Sequence, residues 1–338
     1  MSKTHTEKSK YFFRSAAGAL CLAALLVLSF FVSLRFGSSG MTSSEFFYGL
    51  VRKEGFETQS LILYSIRLPR VLAGIVAGAG LSVSGILLQS ITDNALASPN
   101  IIGVNSGAGF AVAITLTFFP LASASLPFTA FAGAFSATII IILISGKLRN
   151  AKSSLILAGI ALTALLNAGI SFLNLLDSNA LSSYNAFSVG GLAGVRSDSL
   201  IIPAVIIALS FTVSLIFSRR INTLCLGDNT ACALGTNVKM LRFICMVCAS
   251  ASAAAAVSFA GLLGFVGLVV PHIARRLVGN DIKAVLPSGT IIGASLILIA
   301  DLAGRVIASP GEIPVGIMMA FVGAPFFLVL LIKRRSQI

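Results

Sequence analysis

Apolar residues fill long stretches of this chain with no two-residue alternation, and short polar or basic links separate one stretch from the next. Runs of this length predict helices that cross a bilayer, each of about 20 residues. Ten are placed, at 16–36, 68–90, 100–119, 128–145, 153–176, 199–218, 241–260, 262–271, 284–306 and 314–332, the eighth being short. The links at 37–66 and 177–198 then fall on the outer side and 219–240 on the inner side. The eighth run breaks at Pro271 and passes at once into Arg275 and Arg276, as a span does when it surfaces among basic residues. The chain divides into a tail at 1–15, one membrane domain at 16–332 and a second tail at 333–338.

Composition agrees. With 338 residues, 57% hydrophobic and 10% charged, and a mean hydropathy of +0.99, the chain cannot be a soluble domain; it is an all-α polytopic membrane protein with lipid as its surroundings. A net charge of +13 could suggest a nucleic-acid partner, but lysine and arginine are spread over short links and form no single basic face. They read as topology signals. Lys3, Lys8, Lys10 and Arg14 precede the first run and Lys333, Arg334 and Arg335 follow the last, which puts both termini in the cytoplasm. Lys147, Arg149 and Lys152, Arg219 and Arg220 with Lys239 and Arg242, and Arg275 and Arg276 with Lys283 mark further inner links. The first run has no small-residue cleavage site and reads as a retained helix. Cys21, Cys225, Cys232, Cys245 and Cys248 fall in expected helices or on the reducing side, so no disulfide is expected, and Cys245-Met-Val-Cys248 inside an apolar helix is weak support for a redox or metal pair.

Glycines at Gly74 and Gly78, and at Gly103 and Gly107, allow helices to approach closely. The small-residue run Ala77–Gly85 is echoed at Ser252–Gly261, which fits an inverted repeat or a chance likeness of two Ala/Gly-rich helices. No phosphate-binding loop occurs, and Ser145-Gly-Lys147 lacks the upstream glycine, so ATP is not expected to bind here. The polar segment Leu224–Leu241 reads as a compact knob: Asp228 can cap a short helix, Gly235 can end it and Asn237 can start another. The alternative is a structural turn with no partner.

Three arginines stand at the outer ends of expected spans, against the positive-inside rule: Arg67, Arg70 and Arg305. An acidic partner surface would account for them; otherwise Arg305 pairs with Asp301 one turn back, and Arg67 and Arg70 are interfacial anchors. Thr163, Asn167, Ser171 and Asn174 share one face of the fifth span and suit either a wall of a translocation path or hydrogen bonding between helices. His272 has only His5 as a fellow histidine and no acidic cluster beside it, so capping or loop packing is expected and a metal site is not.

Arg67-Leu-Pro-Arg70, Gly264-Phe-Val-Gly-Leu-Val-Val-Pro-His-Ile-Ala-Arg-Arg-Leu-Val-Gly279 and Glu312-Ile-Pro-Val-Gly316, in that order, resemble the permease subunits of bacterial ABC importers for ferric siderophores, haem and vitamin B12. Asn94-Ala-Leu-Ala-Ser-Pro99 departs from that family's Asn-Pro-Leu-Ala-Asp-Pro at Ala95 and Ser98. The resemblance implies a type II importer permease of about ten spans in the bacterial plasma membrane, paired with an identical or paralogous copy. It implies coupling helices around Leu226, Gly227, Asp228, Asn229, Ala233, Leu234 and Gly235 that meet two ATPase subunits, which carry ATP and Mg. It also implies an extracytoplasmic binding protein whose carboxylates meet the three arginines. The chain itself would bind no cofactor and catalyse no reaction. The rival is an ion-coupled secondary transporter, for which Asp301 is the one strong candidate carboxylate.

Overall fold

A computed structural model describes residues 16–37, 40–146 and 151–335. The tails at 1–15 and 336–338, with Lys3, His5, Lys8, Lys10 and Arg14, and the link residues Lys147 and Arg149, lie outside the described residues.

The described chain is helical. In order run α1 (Ala16–Arg35), α2 (Ser43–Leu50), α3 (Glu57–Leu61), a π-helical segment (Ile62–Arg67), α4 (Leu68–Thr92), α5 (Val104–Phe118), α6 (Leu126–Gly146), α7 (Ala151–Leu176), α8 (Ser178–Val189), α9 (Ile201–Ile216), α10 (Ser218–Leu224), α11 (Asp228–Ala233), α12 (Val238–Ala260), α13 (Val266–Val278), α14 (Ile282–Ile307) and α15 (Val315–Arg335). Seven stretches are long and apolar enough to cross a membrane, and Val104–Phe118 and Val315–Leu330 are shorter apolar helices. With the 13-residue α13, these correspond to the ten expected runs.

Several boundaries differ from expectation. The second span starts at Glu57, not near 68, and runs for 36 residues. Pro69 has no N–H to give the preceding turn, and a wider π turn occupies the residues just before it, where Leu68 N–H reaches Leu63 O. The two outer links hold helices α2 and α8; α2 opens with a capping box in which Thr42 and Glu45 satisfy each other's backbone. Those hydrogen bonds from Thr42 hold the Glu45 carboxyl below its ordinary range. The eighth span begins at Val266 and runs past Pro271 to Val278, carrying Arg275 and Arg276 in its last turn. Pro271 leaves the Gly267 carbonyl without its helical donor, and that carbonyl lies against Gly85 of α4, where a Cβ would overlap it. The helix nevertheless continues through Pro271 to Val278 without a break.

Helix α4 is the axis of the bundle. It packs against α14, α12 and α13, and its buried residues run almost unbroken from Ala77 to Thr92. Small residues allow this. A Cβ on Gly78 would fall on the backbone of Gly293 and Ala294 in α14, and one on Gly80 would press on Ile207 and the Ser252 carbonyl. The runs Ala77–Gly85 and Ser252–Gly261 therefore lie on two helices that pack directly together. Non-helical backbone within the bundle is satisfied at one junction: Gly191 N–H donates to Ala260 O (2.9 Å), Leu262 N–H to Phe187 O (3.2 Å) and Gly316 N–H to Gly190 O (3.2 Å). Gly261 turns there with φ +71°, and a side chain on it would strike the Phe187 carbonyl.

Close approach at Gly78 has no room to relax, because backbone stands on both sides. Gly78→Leu should destabilise the detergent-solubilised protein by at least about 3 kcal/mol, read as a lowered unfolding midpoint. Gly40→Ala, which meets open space, should leave the midpoint unchanged; equal shifts for the two would refute close α4–α14 packing.

Candidate functional site

One end of the bundle is organised by the carbonyl groups at the end of α1. The last carbonyls of a helix have no donor within it and need one from elsewhere, above all where water is scarce. Here arginines supply them. Arg67 Nη1 donates to Leu34 O (2.9 Å) and Arg35 O (2.7 Å), while Arg305 donates to Phe36 O (2.9 Å), Ser33 O (3.1 Å) and Ser33 Oγ (2.6 Å). Positive charge at a helix C-terminus also suits the helix dipole.

Arg70 completes the cluster. Its Nε and Nη2 grip Asp301, with the shortest contact 2.8 Å, and its Nη1 donates to Glu312 Oε2 at 2.6 Å. Arg305 Nε sits 3.0 Å from Asp301 Oδ2, a charge contact without hydrogen-bond alignment. The Asp301–Arg305 alternative named from the sequence is therefore present. The three arginines are buried, with Arg67, Arg70 and Arg305 3%, 7% and 2% exposed as whole residues. They are not the free interfacial anchors or bare surface cations that sequence suggested, since a buried charge persists only with partners. Three arginines and two carboxylates leave the cluster one formal positive charge, and its accessible edge is Glu312, whose side chain is 31% exposed.

The knob lies at the other end. Helix α11 starts at Asp228, but Gly227 occupies the cap position and the Asp228 side chain makes no cap. Its carboxylate instead accepts from Arg242 Nη2 of α12 at 2.6 Å. Gly235 ends the helix as expected: Thr236 N–H reaches Ala231 O and Gly235 N–H reaches Cys232 O, both 2.9 Å, with Gly235 at φ +76°. Asn237 caps the next helix through Met240 N–H. That helix is the long α12, so the two short helices of the knob are α10 and α11, and Ser218–Leu224 belongs to it. Thr223 and Thr236 hydroxyls meet at 3.1 Å. Outside the spans, Leu226 and Leu234 remain 63% and 60% exposed, and Cys225 and Cys232 are exposed and not in disulfides. Asn229, Ala233 and Gly235 are exposed as well.

The polar stripe runs along α7, where Asn167 and Ser171 are exposed and Thr163 and Asn174 are half-buried. Thr163 Oγ1 receives the Ser106 hydroxyl at 3.3 Å and Ser171 Oγ donates to Asn167 O at 3.0 Å. Only 17% of the most apolar window of α7 is buried within the chain. His272 lies inside α13 with its ring against Phe326 of α15, centroids 5.8 Å apart; packing and not capping holds it. Cys245 and Cys248 are buried free thiols in α12. Among the described residues no three His, Cys, Asp or Glu side chains converge as a metal site. Asn94 shapes the turn after α4, its Oδ1 accepting from Leu96 N–H at 2.9 Å.

Sequence reasoning gave no role to Ser33, Glu312, Asn222 or Arg242 as partners. Glu312 was visible as the acid of its motif; nothing local marks the other three, and the partners of Ser33 and Asn222 are far away in the chain.

A family model, the FecCD transport family, matches residues 25–333, and the chain belongs to that family. It is 37% identical over its whole length to the whole of the Fe(3+)-citrate import system permease protein YfmE of Bacillus subtilis. It is 36% identical to the B. subtilis iron(3+)-hydroxamate import system permease protein FhuG, covering 91% of this chain and 94% of FhuG. Against the probable heme-iron transport system permease protein IsdF of Staphylococcus aureus identity is also 36%, over 94% and 96% of the two chains. Among solved structures, a metal-chelate type ABC transporter in an inward-facing conformation superposes with a TM-score of 0.83 at 32% identity, covering 93% of this chain and 98% of that one. The chain is an integral membrane protein of transport-permease type.

Asp301 neutralises two buried arginines, whereas Glu312 meets one at the rim. Asp301→Asn should cost about 3–5 kcal/mol of stability, against about 1 kcal/mol or less for Glu312→Gln, in denaturant unfolding of the purified protein. Equal costs would show that Asp301 is not the buried counter-charge.

Proposed function

We propose that this chain is the permease subunit of an ATP-driven importer, moving a ferric siderophore from an extracytoplasmic binding protein to the cytoplasm by alternating access. The carrying observation is end-to-end likeness to a ferric citrate permease in a chain that holds no phosphate-binding loop. Haem is the second reading, favoured by the equally similar IsdF. ATP and Mg belong to two separate ATPase subunits, each resting on the knob of one permease copy. The exposed leucines Leu226 and Leu234 support this, because apolar side chains displayed beyond the spans fit a protein partner. Both termini and the knob then face the cytoplasm of a bacterial cell, and the arginine cluster faces outward.

A second copy, identical or paralogous, covers α7. Amide and hydroxyl groups at membrane depth do not face lipid without cost, and Asn167 and Ser171 are exposed in the single chain. They would line the path between the two copies together with Thr163 and Asn174, giving weak passing contacts to a bulky polar cargo. Asp301 is held by Arg70 and Arg305, which disfavours its use as an ion-coupling carboxylate. Arg67, Arg70 and Arg305 would act on the binding protein through the net positive field of their cluster, with its carboxylates approaching beside Glu312.

Two outcomes test this reading. The complex purified with its ATPase in nanodiscs should take up radiolabelled iron as a siderophore complex or as haem only with ATP and binding protein, and Asn167→Cys should react with water-soluble thiol reagents in a nucleotide-dependent way. Uptake without ATP, or uniform protection at residue 167, would point to another mechanism. Glu312→Gln, which adds one unit of positive charge to the cluster, should speed binding-protein association severalfold at low salt; an unchanged or slower rate would argue against docking at this edge.

A further inference from the structure

Helix α14 touches both ends of the bundle. At about 1.5 Å per residue its 26 residues span about 39 Å. Its last turns carry Asp301 and Arg305, bonded to α4, to the end of α1 and, through Arg70, to Glu312 ahead of α15. Its first turn is held from the knob. Asn222 of α10 donates from Nδ2 to Asp281 Oδ1 at 2.9 Å, and its Oδ1 accepts from Ile282 N–H at 3.0 Å. Asp281 caps the same helix through Lys283 N–H at 3.0 Å. One amide therefore serves both the cap residue and the first free N–H of α14, as a cap supplied from another helix. Around it Ile221, Leu224, Ile282, Val285 and Leu286 are buried, so the joint is enclosed by apolar packing.

On the importer reading above, we propose that Asn222 is the positioning residue that joins the ATPase-facing knob to α14, so that knob movement displaces α14 as a rod and reaches the outer arginine cluster. The knob's other fastenings, Asp228–Arg242 and Thr223–Thr236, lead to α12 or its approach; α12 ends at the Gly261 junction, within the bundle. The Asn222 hydrogen bonds lead instead into the helix that carries Asp301 and Arg305, alongside packing of α10 on α14 and α4. Backbone contact between Gly293 and Gly78 makes α4 move with α14, which carries Arg70 along. Removing the amide leaves the knob surface and its apolar packing intact while breaking its hydrogen bonds to the rod, so ATPase binding persists and communication is weakened.

The test uses the complete importer in nanodiscs, with its ATPase subunits and binding protein. Asn222→Ala should keep complex assembly and basal ATP hydrolysis within about twofold of the parent, yet reduce binding-protein stimulation of hydrolysis and iron uptake by about tenfold, the scale of a typical coupling between sites. Asp281→Asn, which keeps an acceptor for both Asn222 and Lys283, should behave like the parent; Asp281→Ala should resemble Asn222→Ala, and the double variant should add little to either. Should Asn222→Ala fail to assemble, Asn222→Asp keeps the acceptor for Ile282 and sets a carboxylate against Asp281; it should show the same loss of stimulation. Full stimulation and uptake in the assembled alanine or aspartate variant would overturn the proposal. A parent complex that hydrolyses ATP without response to binding protein would instead overturn the importer reading, leaving the two failures distinct.

Discussion

Helix ends at a bilayer boundary need donors that water cannot be relied on to supply, and this structure meets that need at α1 with arginine side chains from two other helices. The constraint propagates. Asp301 sits between Arg70 and Arg305 as the buried counter-charge, and Glu312 closes the remaining side of Arg70. The result fixes α1, α4, α14 and the approach to α15 in one polar knot. A cluster chosen for binding alone would have no reason to point its guanidiniums inward.

Between the two ends the bundle is a close-packed body of small residues. Helices α4, α12, α13 and α14 approach at glycine, alanine and serine until backbones meet, the arrangement available where lipid offers no hydrophobic drive to hold helices together. Such a body moves as a unit because backbone contacts leave no slack. Helices α7 and α9 differ: only 17% and 28% of their most apolar windows are buried. Helix α9 turns Ile201, Ile202, Val205 and Leu209 outward, a surface suited to lipid, whereas α7 turns out Asn167 and Ser171 among its leucines. On the importer reading, the rigid side would transmit force and the sparsely covered side would face the path.

Much of this was legible because membrane spans are written in continuous apolar runs. The spans, the stop at Gly235 and the start at Asn237 all follow from local residue chemistry and appear in the structure. The links were harder. Segments 43–50, 57–67 and 178–189 are short and mixed in polarity, so no run announces them, yet packing against the spans makes them helical. Pro271 misled because a proline inside a helix removes one hydrogen bond and need not end it, and α13 carries on to Val278. The arginines misled differently. Sequence shows a charge in an unfavourable place but not the carbonyls that receive it, and Leu34 lies 33 residues from Arg67 while Ser33 lies 272 from Arg305. Asn222 gave no signal at all, since an asparagine near a helix end is ordinary until its partners are known.

The composition of α7 bears on how the chain is made. Leucine, isoleucine and alanine between its polar positions keep the segment long and apolar enough to cross a bilayer. Insertion therefore need not wait for a neighbour. On the proposed pairing, the stripe adds a difference between two inserted states: a solitary copy would display Asn167 and Ser171 to acyl chains, and a covered copy would not. These two exposed polar residues would thus mark an unpaired subunit apart from a paired one within the membrane.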